Sequence, residues 1–199
     1  MDRRTFIQAG LLTALPAATG ARLVFRMAQP PVARKLVPLY TVVYDERFPD
    51  SVVFAGEARR LGLRTSAIAG DVTELWYHDL FHRWQRSATA IAGMTTPDAF
   101  FCLDVFGNDV GLRRVVRVDH EVGAMQVAHR FHGPQAALER ARLDQCGGDW
   151  SARMAHVVAG CPSTRDRIQA TVISRLDAAS ADDSPVLVSW LLAPRRQLA

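Results

Sequence analysis

From residue 36 onward, segments typical of β-strands alternate with segments typical of amphipathic helices. Apolar, β-rich runs predict three strands, at residues 36–44, 64–69 and 88–92. Helix start and stop signals predict three helices, at residues 49–62, 72–84 and 96–107 or 96–111. Consecutive strand–helix–strand units favour a parallel sheet that is covered by helices.

The second half of the chain is predicted to be mostly helical. A fourth strand is expected at residues 113–119, with a fifth, at residues 124–131, as its hairpin partner. Helices are then expected at residues 134–146, 149–160 and 163–179, and a last strand at residues 185–192. The sequence therefore predicts an α/β fold: a Rossmann-like three-layer sandwich with a mostly parallel sheet, a helical second half and a returning C-terminal strand.

The length of the chain and the position of its charges limit what it can be. The 199 residues, 49% of them apolar, suit one domain, predicted at residues 36–194, after a linker or extended arm at 22–35 and before a tail at 195–199. The net charge is +4, but residues 36–194 hold 16 basic and 19 acidic residues, a net of −3. Because the basic character lies in the two ends, nucleic acid is not an expected partner.

The first residues have the features of an export signal. Arg3 and Arg4 are followed by Phe6, then by a short apolar run and the small residues of 17–21. This run is too short to span a bilayer, and no other segment reaches about 18 uninterrupted apolar residues. On these residues, segment 1–21 resembles a bacterial twin-arginine translocation (Tat) signal peptide.

The resemblance implies export of a folded protein by the Tat translocase to the periplasm, with cleavage near Gly20 or Ala21. The segment departs from the usual pattern at Asp2, where Ser or Thr is common, and at Gln8, where Lys is common. Proteins that use this route often carry a cofactor or travel with a partner. Because no motif for dinucleotide, flavin, haem, iron–sulfur or molybdenum binding is present, no cofactor is identified, and a co-exported enzyme subunit is the partner considered.

Polar residues follow several of the predicted strands. In an open parallel sheet, ligands bind at the carboxyl ends of the strands, so these residues form the best candidate site. The candidate catalytic residues are His120, Asp71 and Asp45, and the candidate ligand-binding residues are Gly93, Thr95, Thr96, Asp71 and Thr73. The alternative is that Asp71 and Thr96 are helix caps.

Two short motifs explain why these residue types are candidates. The run from Gly93 to Thr96 joins a predicted strand to a helix, so its backbone N–H groups, its hydroxyls and the helix dipole could hold a phosphate or carboxylate. His120 lies between Asp119 and Glu121, and a carboxylate neighbour would orient the imidazole as a general base. Because adjacent strand residues face opposite sides, the three cannot all converge, and a solvated strand end is the alternative.

Two further residue pairs have a spacing that bears on a metal site or a disulfide. His78 and His82 lie four residues apart on one helix face, a spacing that can hold a metal, but no third ligand is evident and no metal site is predicted. Cys146 and Cys161 bracket the predicted helix at 149–160. In an oxidising periplasm, a disulfide between them would contribute about 3 kcal/mol, and the sequence leaves open whether it forms.

The leading functional hypothesis is an exported α/β accessory or binding protein without a catalytic constellation. The alternative is a small periplasmic enzyme, a hydrolase or an oxidoreductase, that uses the cleft at the strand ends. Convergence of the candidate side chains in a pocket would favour the enzyme. An exposed aromatic patch around Trp76 and Phe81 would favour a partner-binding protein.

Overall fold

A computed structural model describes residues 35–176 and 186–198. Its strands are β1 (Leu39–Asp45), β2 (Thr65–Ile68), β3 (Ala90–Thr95), β4 (Leu112–Val122), β5 (Gln126–Gly133), β6 (Ile168–Arg175) and β7 (Leu187–Pro194). Its helices are α1 (Pro49–Arg60), α2 (Thr73–Leu75), α3 (Phe81–Arg86), α4 (Pro97–Asp109), α5 (Gln135–Ala141) and α6 (Trp150–Ala159). The expected signal peptide and almost all of the expected arm lie outside the described residues.

The strands form one seven-stranded sheet in the order β2-β1-β3-β7-β4-β5-β6. Strand β1 pairs in parallel with β2 and β3, whereas β7 is antiparallel to both β3 and β4, and β4, β5 and β6 form an antiparallel meander. The predicted α/β class and the returning C-terminal strand are confirmed. The prediction of a mostly parallel sheet is wrong, because parallel pairing is limited to one edge.

The second half is less helical than predicted. Residues 168–175 form β6 rather than part of a helix at 163–179, because inward residues such as Val172 and Ser174 alternate with exposed ones such as Ile173. The predicted helix at 134–146 ends at Ala141, since Arg142 has a left-handed backbone with φ 47°. Two 3-10 turns follow it, Leu143–Gln145 and Gly147–Asp149.

Helices cover both faces of the sheet, and each face has its own apolar core. On what we call the α6 face, helices α1, α5 and α6 pack against the sheet through residues such as Phe54, Trp150 and Met154. On the α4 face, helices α3 and α4 pack through Phe100 and Leu103. Strand β7 lies between the parallel and antiparallel regions and is buried along its whole length. Within the described part of the chain, no helix is long and apolar enough to cross a membrane.

Candidate functional site

The parallel edge of the sheet places the expected crevice between β1 and β3. In the order β2-β1-β3, the connections from these two strands leave on opposite faces, to α1 and to α4, which opens a crevice at their carboxyl ends. The buried side chain of Ser51 occupies this position: its Oγ donates to the Met94 carbonyl at 2.6 Å and accepts from the Asp45 N–H at 2.9 Å. The Ser51 side chain therefore links the carboxyl ends of β1 and β3 through these two hydrogen bonds.

Asp45 is held by Arg47 rather than presented to a substrate. Its carboxylate is fully buried and accepts hydrogen bonds from Arg47 Nε at 2.9 Å and Nη2 at 2.7 Å. These contacts raise the pKa of the half-exposed Arg47 guanidinium. The guanidinium also lies over Gly70, where an added Cβ would be 2.4 Å from it. Asp45 is thus an ion-pair partner at the base of the crevice.

The residues of the Gly93–Thr96 junction also pack against the rest of the protein. Gly93 pairs with both neighbouring strands, and an added Cβ there would lie 2.6 Å from the indole ring of Trp190. The Thr95 hydroxyl is buried, accepts from Trp190 Nε1 at 3.1 Å and donates to the Thr96 carbonyl at 3.2 Å. Gly93 therefore makes room for Trp190 and does not form an open phosphate-binding loop.

Asp71 and Thr73 form a local turn at the start of α2. The exposed Asp71 carboxylate accepts from the Thr73 N–H at 2.9 Å and from its hydroxyl at 2.7 Å, and these bonds lower the pKa of Asp71. This is a local turn before the helix and not an N-cap, because the N-cap residue of α2 is Val72 and no side chain makes a capping hydrogen bond there. At Thr96, which precedes α4, the side chain makes no capping hydrogen bond.

His120 is not in this crevice. Its side chain points to the α6 face and is fully buried, beside His129, which lies opposite it in the β4–β5 register. The two Nδ1 atoms are 2.7 Å apart. On the outer sides, His120 Nε2 is 2.8 Å from Ser189 Oγ, and His129 Nε2 is 2.8 Å from Ser174 Oγ.

The contacts of Ser174 fix the direction of this hydrogen-bond chain. Its hydroxyl donates to the Leu143 carbonyl, so Ser174 Oγ accepts from His129 Nε2–H. When both rings are neutral, His129 Nδ1 accepts from His120 Nδ1–H, and His120 Nε2 accepts from the Ser189 hydroxyl. One proton on each imidazole thus gives every ring nitrogen a hydrogen-bond partner.

The surroundings of the pair favour the neutral form. The indole of Trp150 covers both imidazoles, with ring centroids 4.6 Å from His120 and 5.4 Å from His129. Burial, and to a smaller extent the neighbouring His129, lowers the pKa of His120 well below its usual range, and burial lowers the pKa of His129 to about 4. His120 is thus a buried, neutral group paired with His129, and Ser174, Ser189 and Trp150 are functional candidates that the sequence did not identify.

The possible disulfide between Cys146 and Cys161 is not formed in this structure, where both cysteines are free thiols. Cys146 Sγ lies 3.1 Å from the Leu143 carbonyl and 3.4 Å from Ser174 Oγ, at the end of the buried chain. Cys161 is fully buried, and burial raises the pKa of its thiol to about 12. The two thiols have different hydrogen-bond partners.

The surface histidines do not gather other ligands. His78 contacts Glu74 at 3.1 Å, and both side chains are exposed. Asp79 is engaged by the Tyr40 hydroxyl at 2.6 Å and by Arg64 at 2.9 Å. Within residues 35–176 and 186–198, no group of three His, Cys, Asp or Glu residues is placed to hold a metal ion.

An aromatic cluster joins α4 to the segment before α3. A π-helical turn, Trp76–Leu80, links α2 to α3, and the indole of Trp76 stacks on Phe106 of α4 with centroids 4.2 Å apart. On the two elements that this stack joins, three side chains are exposed: Tyr77 at 61%, Phe101 at 67% and Val105 at 41%. We call these three residues, with Trp76 and Phe106, the aromatic surface.

The comparisons with known proteins do not assign a role to these sites. No protein-family model, no curated protein and no solved structure matches the chain. The functional conclusion therefore rests on the geometry described above.

Proposed function

We propose that this chain is an exported accessory or binding protein that holds a co-exported partner on the aromatic surface. The observation that carries the proposal is the exposure of Tyr77 and Phe101, at 61% and 67%, on the two elements that the Trp76–Phe106 stack joins. Exposed aromatic side chains of this size are characteristic of the buried centres of protein interfaces. The Tat-like residues of segment 1–21 support the exported location.

The local backbone supports a binding role. π-Helical turns are rare and are frequently found at functional sites, and here the turn carries both Trp76 and Tyr77. On α4, Phe101 and Val105 lie one helical turn apart and share a face. The Trp76–Phe106 stack joins the two elements that carry the exposed side chains.

The charges around the aromatic surface define the chemistry of its partner. Helix α4 contains Asp98, Asp104 and Asp109 and no basic residue. Asp104 pairs with Arg114, whereas Asp98 and Asp109 are exposed. A folded protein that presents apolar side chains within a basic rim would complement this surface.

The geometry gives less support to an enzyme at the strand ends. Asp45 is paired with Arg47, Asp71 forms a local turn and His120 lies buried on the other side of the sheet. In our proposal, the Rossmann-like description applies to the parallel edge alone, where order β2-β1-β3 and helices on both faces support it. The antiparallel strands depart from that pattern.

Export is tested with the twin-arginine pair. Replacing Arg3→Lys and Arg4→Lys together should leave the folded protein in the cytoplasm, because the Tat route requires both arginines. The matched control is Arg22→Lys with Arg26→Lys, which keeps the signal and should be exported normally. Equal export of the two double variants would contradict the proposed route.

Docking is tested with surface variants of the exported full-length protein. The double variant Tyr77→Ser with Phe101→Ser should lose a co-purifying partner, measured by native mass spectrometry. The control, Val53→Ser with Ile173→Ser, removes apolar groups that are also exposed, at 50% and 40%, but lie outside the aromatic surface. Retention of the partner by both double variants, or a protein that is exported without any partner, would reject the docking proposal.

A further inference from the structure

The buried His120–His129 pair has no part in the binding role proposed above, yet its geometry makes it sensitive to acid. The hydrogen-bond chain from Ser189 to the Leu143 carbonyl uses every ring nitrogen of both imidazoles. This arrangement is complete only when each ring carries one proton.

A third ring proton cannot be added without disturbing the chain. If it adds to His129 Nδ1, two N–H groups face each other across 2.7 Å. If it adds to His120 Nε2, the Ser189 hydroxyl, 2.8 Å away, must rotate to accept from that atom, and its own proton then loses its acceptor. Either proton also leaves a cation in the core.

The groups packed around the pair offer no compensating charge. Ser189 on β7, Ser174 on β6 and Trp150 at the start of α6 contact the imidazoles. Cys146, which touches Ser174, is the only further titratable group that the described hydrogen bonds connect to them. No carboxylate of residues 35–176 or 186–198 is bonded to either ring, so an added proton would be unpaired.

One neighbouring segment is suited to open locally. Residues 143–150, which we call the cap, consist of two short 3-10 turns followed by Trp150, and they begin after the strained, left-handed Arg142. The cap contributes the Leu143 carbonyl, the Cys146 thiol and the Trp150 indole that enclose the pair. Short turns of this kind open at lower free energy than the strands beneath them.

We propose that the imidazole pair is an acid-operated latch: a proton taken up from water by either ring releases the cap, residues 143–150, from β5 and β6. The parallel edge stays folded, since Asp45–Arg47 and Ser51 hold it without an imidazole. Opening exposes the Cys146 thiol, which is 8% exposed in the closed form. The latch involves described residues alone and does not depend on export.

The thiol of Cys146 gives a direct test. In the full chain with Cys102→Ala and Cys161→Ala, Cys146 is the only thiol, and its reaction with 4,4′-dithiodipyridine is followed relative to free cysteine at each pH. We expect the relative rate to rise about tenfold or more from pH 7 to pH 5. The matched protein with Cys146→Ala and Cys161→Ala keeps only Cys102, on the α4 face, and should show no rise. A parallel rise in both proteins would mean global unfolding and would overturn the latch.

Imidazole variants separate the latch from other acid effects. His129→Gln keeps a neutral donor for Ser174 and an acceptor for His120 but removes one of the two rings that can take up a proton, so the acid-induced rise at Cys146 should become several-fold smaller. The control His78→Gln with His82→Gln changes only exposed imidazoles and should keep the full rise. A rise of unchanged size in His129→Gln would overturn the proposal.

A measurement on the unsubstituted protein decides the matter if His129→Gln does not fold. ¹⁵N spectra of the imidazoles report the protonation of each ring nitrogen, and near-ultraviolet circular dichroism reports the packing of Trp150. We expect ring protonation and loss of the Trp150 signal to coincide. Protonation of both rings with unchanged dichroism would show that the cap stays closed and that the latch is wrong.

Discussion

Two regions of this sheet bury polar side chains, and they differ in how those side chains are paired. At the parallel edge, the buried Asp45 carboxylate is paired with the Arg47 guanidinium, which reaches in from solvent. In the antiparallel region, His120 and His129 are buried without a counter-charge, and every ring nitrogen is bonded to a neutral partner. A proton that is added to the neutral pair therefore leaves an unpaired charge in the core.

The difference follows from the strands that carry these residues. Asp45 is the last residue of β1, next to a loop from which Arg47 can fold back. His120 lies within β4, which continues to Val122, so no loop residue can reach it. The position of a buried polar residue along its strand therefore decides its partner. At the end of a strand the partner is a charged loop residue, and within a strand the partners are neutral hydrogen-bonding groups.

The largest expected effect comes from removing an indole. Trp150→Ala and Trp190→Ala each delete a buried ring, on the α6 and α4 faces respectively, and each should lower the free energy of unfolding by about 3–5 kcal/mol in urea. Only Trp150→Ala should also weaken the dependence of stability on pH between 7 and 5, because water then reaches the imidazoles. Equal pH dependence in the two variants would show that Trp150 does not shield the pair.

Acid should destabilise the antiparallel region at a higher pH than the parallel edge. Since the folded pKa of the imidazoles lies below 6.5, the unfolded state binds more protons, and stability falls as the pH drops below 6.5. For His129, with a pKa of about 4, the loss would reach about 3 kcal/mol at pH 4, at 1.4 kcal/mol per unit. The contribution of Asp71, whose pKa is lowered from 3.8, is present above that pH and is lost only below it. Urea midpoints that stay constant from pH 7 to 5 would contradict this separation.

The hydroxyl at the end of the imidazole chain should matter more than one at the parallel edge. Ser174→Ala removes the acceptor of the His129 Nε2–H group and should cost about 1–3 kcal/mol, because a buried donor is left unpaired. The control is Ser66→Ala, which removes the 2.9 Å contact with Thr41 at a partly exposed position. Water can replace that hydroxyl, so the loss measured by chemical denaturation should be smaller. Equal losses of stability would mean that the imidazole chain is no better shielded from water than Ser66 at the parallel edge.

Part of this comparison could be predicted from the sequence. The strand–helix alternation correctly places Asp45 and Thr95 at the carboxyl ends of strands, whereas the adjacency of these strands could not be predicted. The alternation of Val116, Val118 and His120 also indicates that His120 shares their inward face, but a strand assumed to end at Asp119 hides it. Where Arg47 and Ser51 point depends on tertiary contacts, and no periodicity carries that information.

The antiparallel region was harder to predict because local signals conflict there. Ser163 and Asp166 have the spacing of a helix start, and they led to the expectation of a helix at 163–179. The alternation of residues from Ile168 to Ser174 indicates a strand instead, and pairing with β5 decides between them. Because Ser174 was assigned to a helix, its contact with His129 could not be anticipated.

The smallest expected effect comes from substituting a glycine beside Arg47, which tests whether the Arg47 guanidinium is held firmly on Asp45. Gly70 and Gly62 both have positive φ, +86° and +80°, so Gly70→Ala and Gly62→Ala should share a backbone cost of about 1 kcal/mol. At Gly62 an added methyl group meets nothing within 4 Å, whereas at Gly70 it displaces the Arg47 guanidinium from Asp45. Gly70→Ala should therefore be less stable than Gly62→Ala, as measured by urea unfolding at pH 7. Equal stability would show that Arg47 moves aside freely, and the crevice would then be open to a ligand rather than closed by its own ion pair.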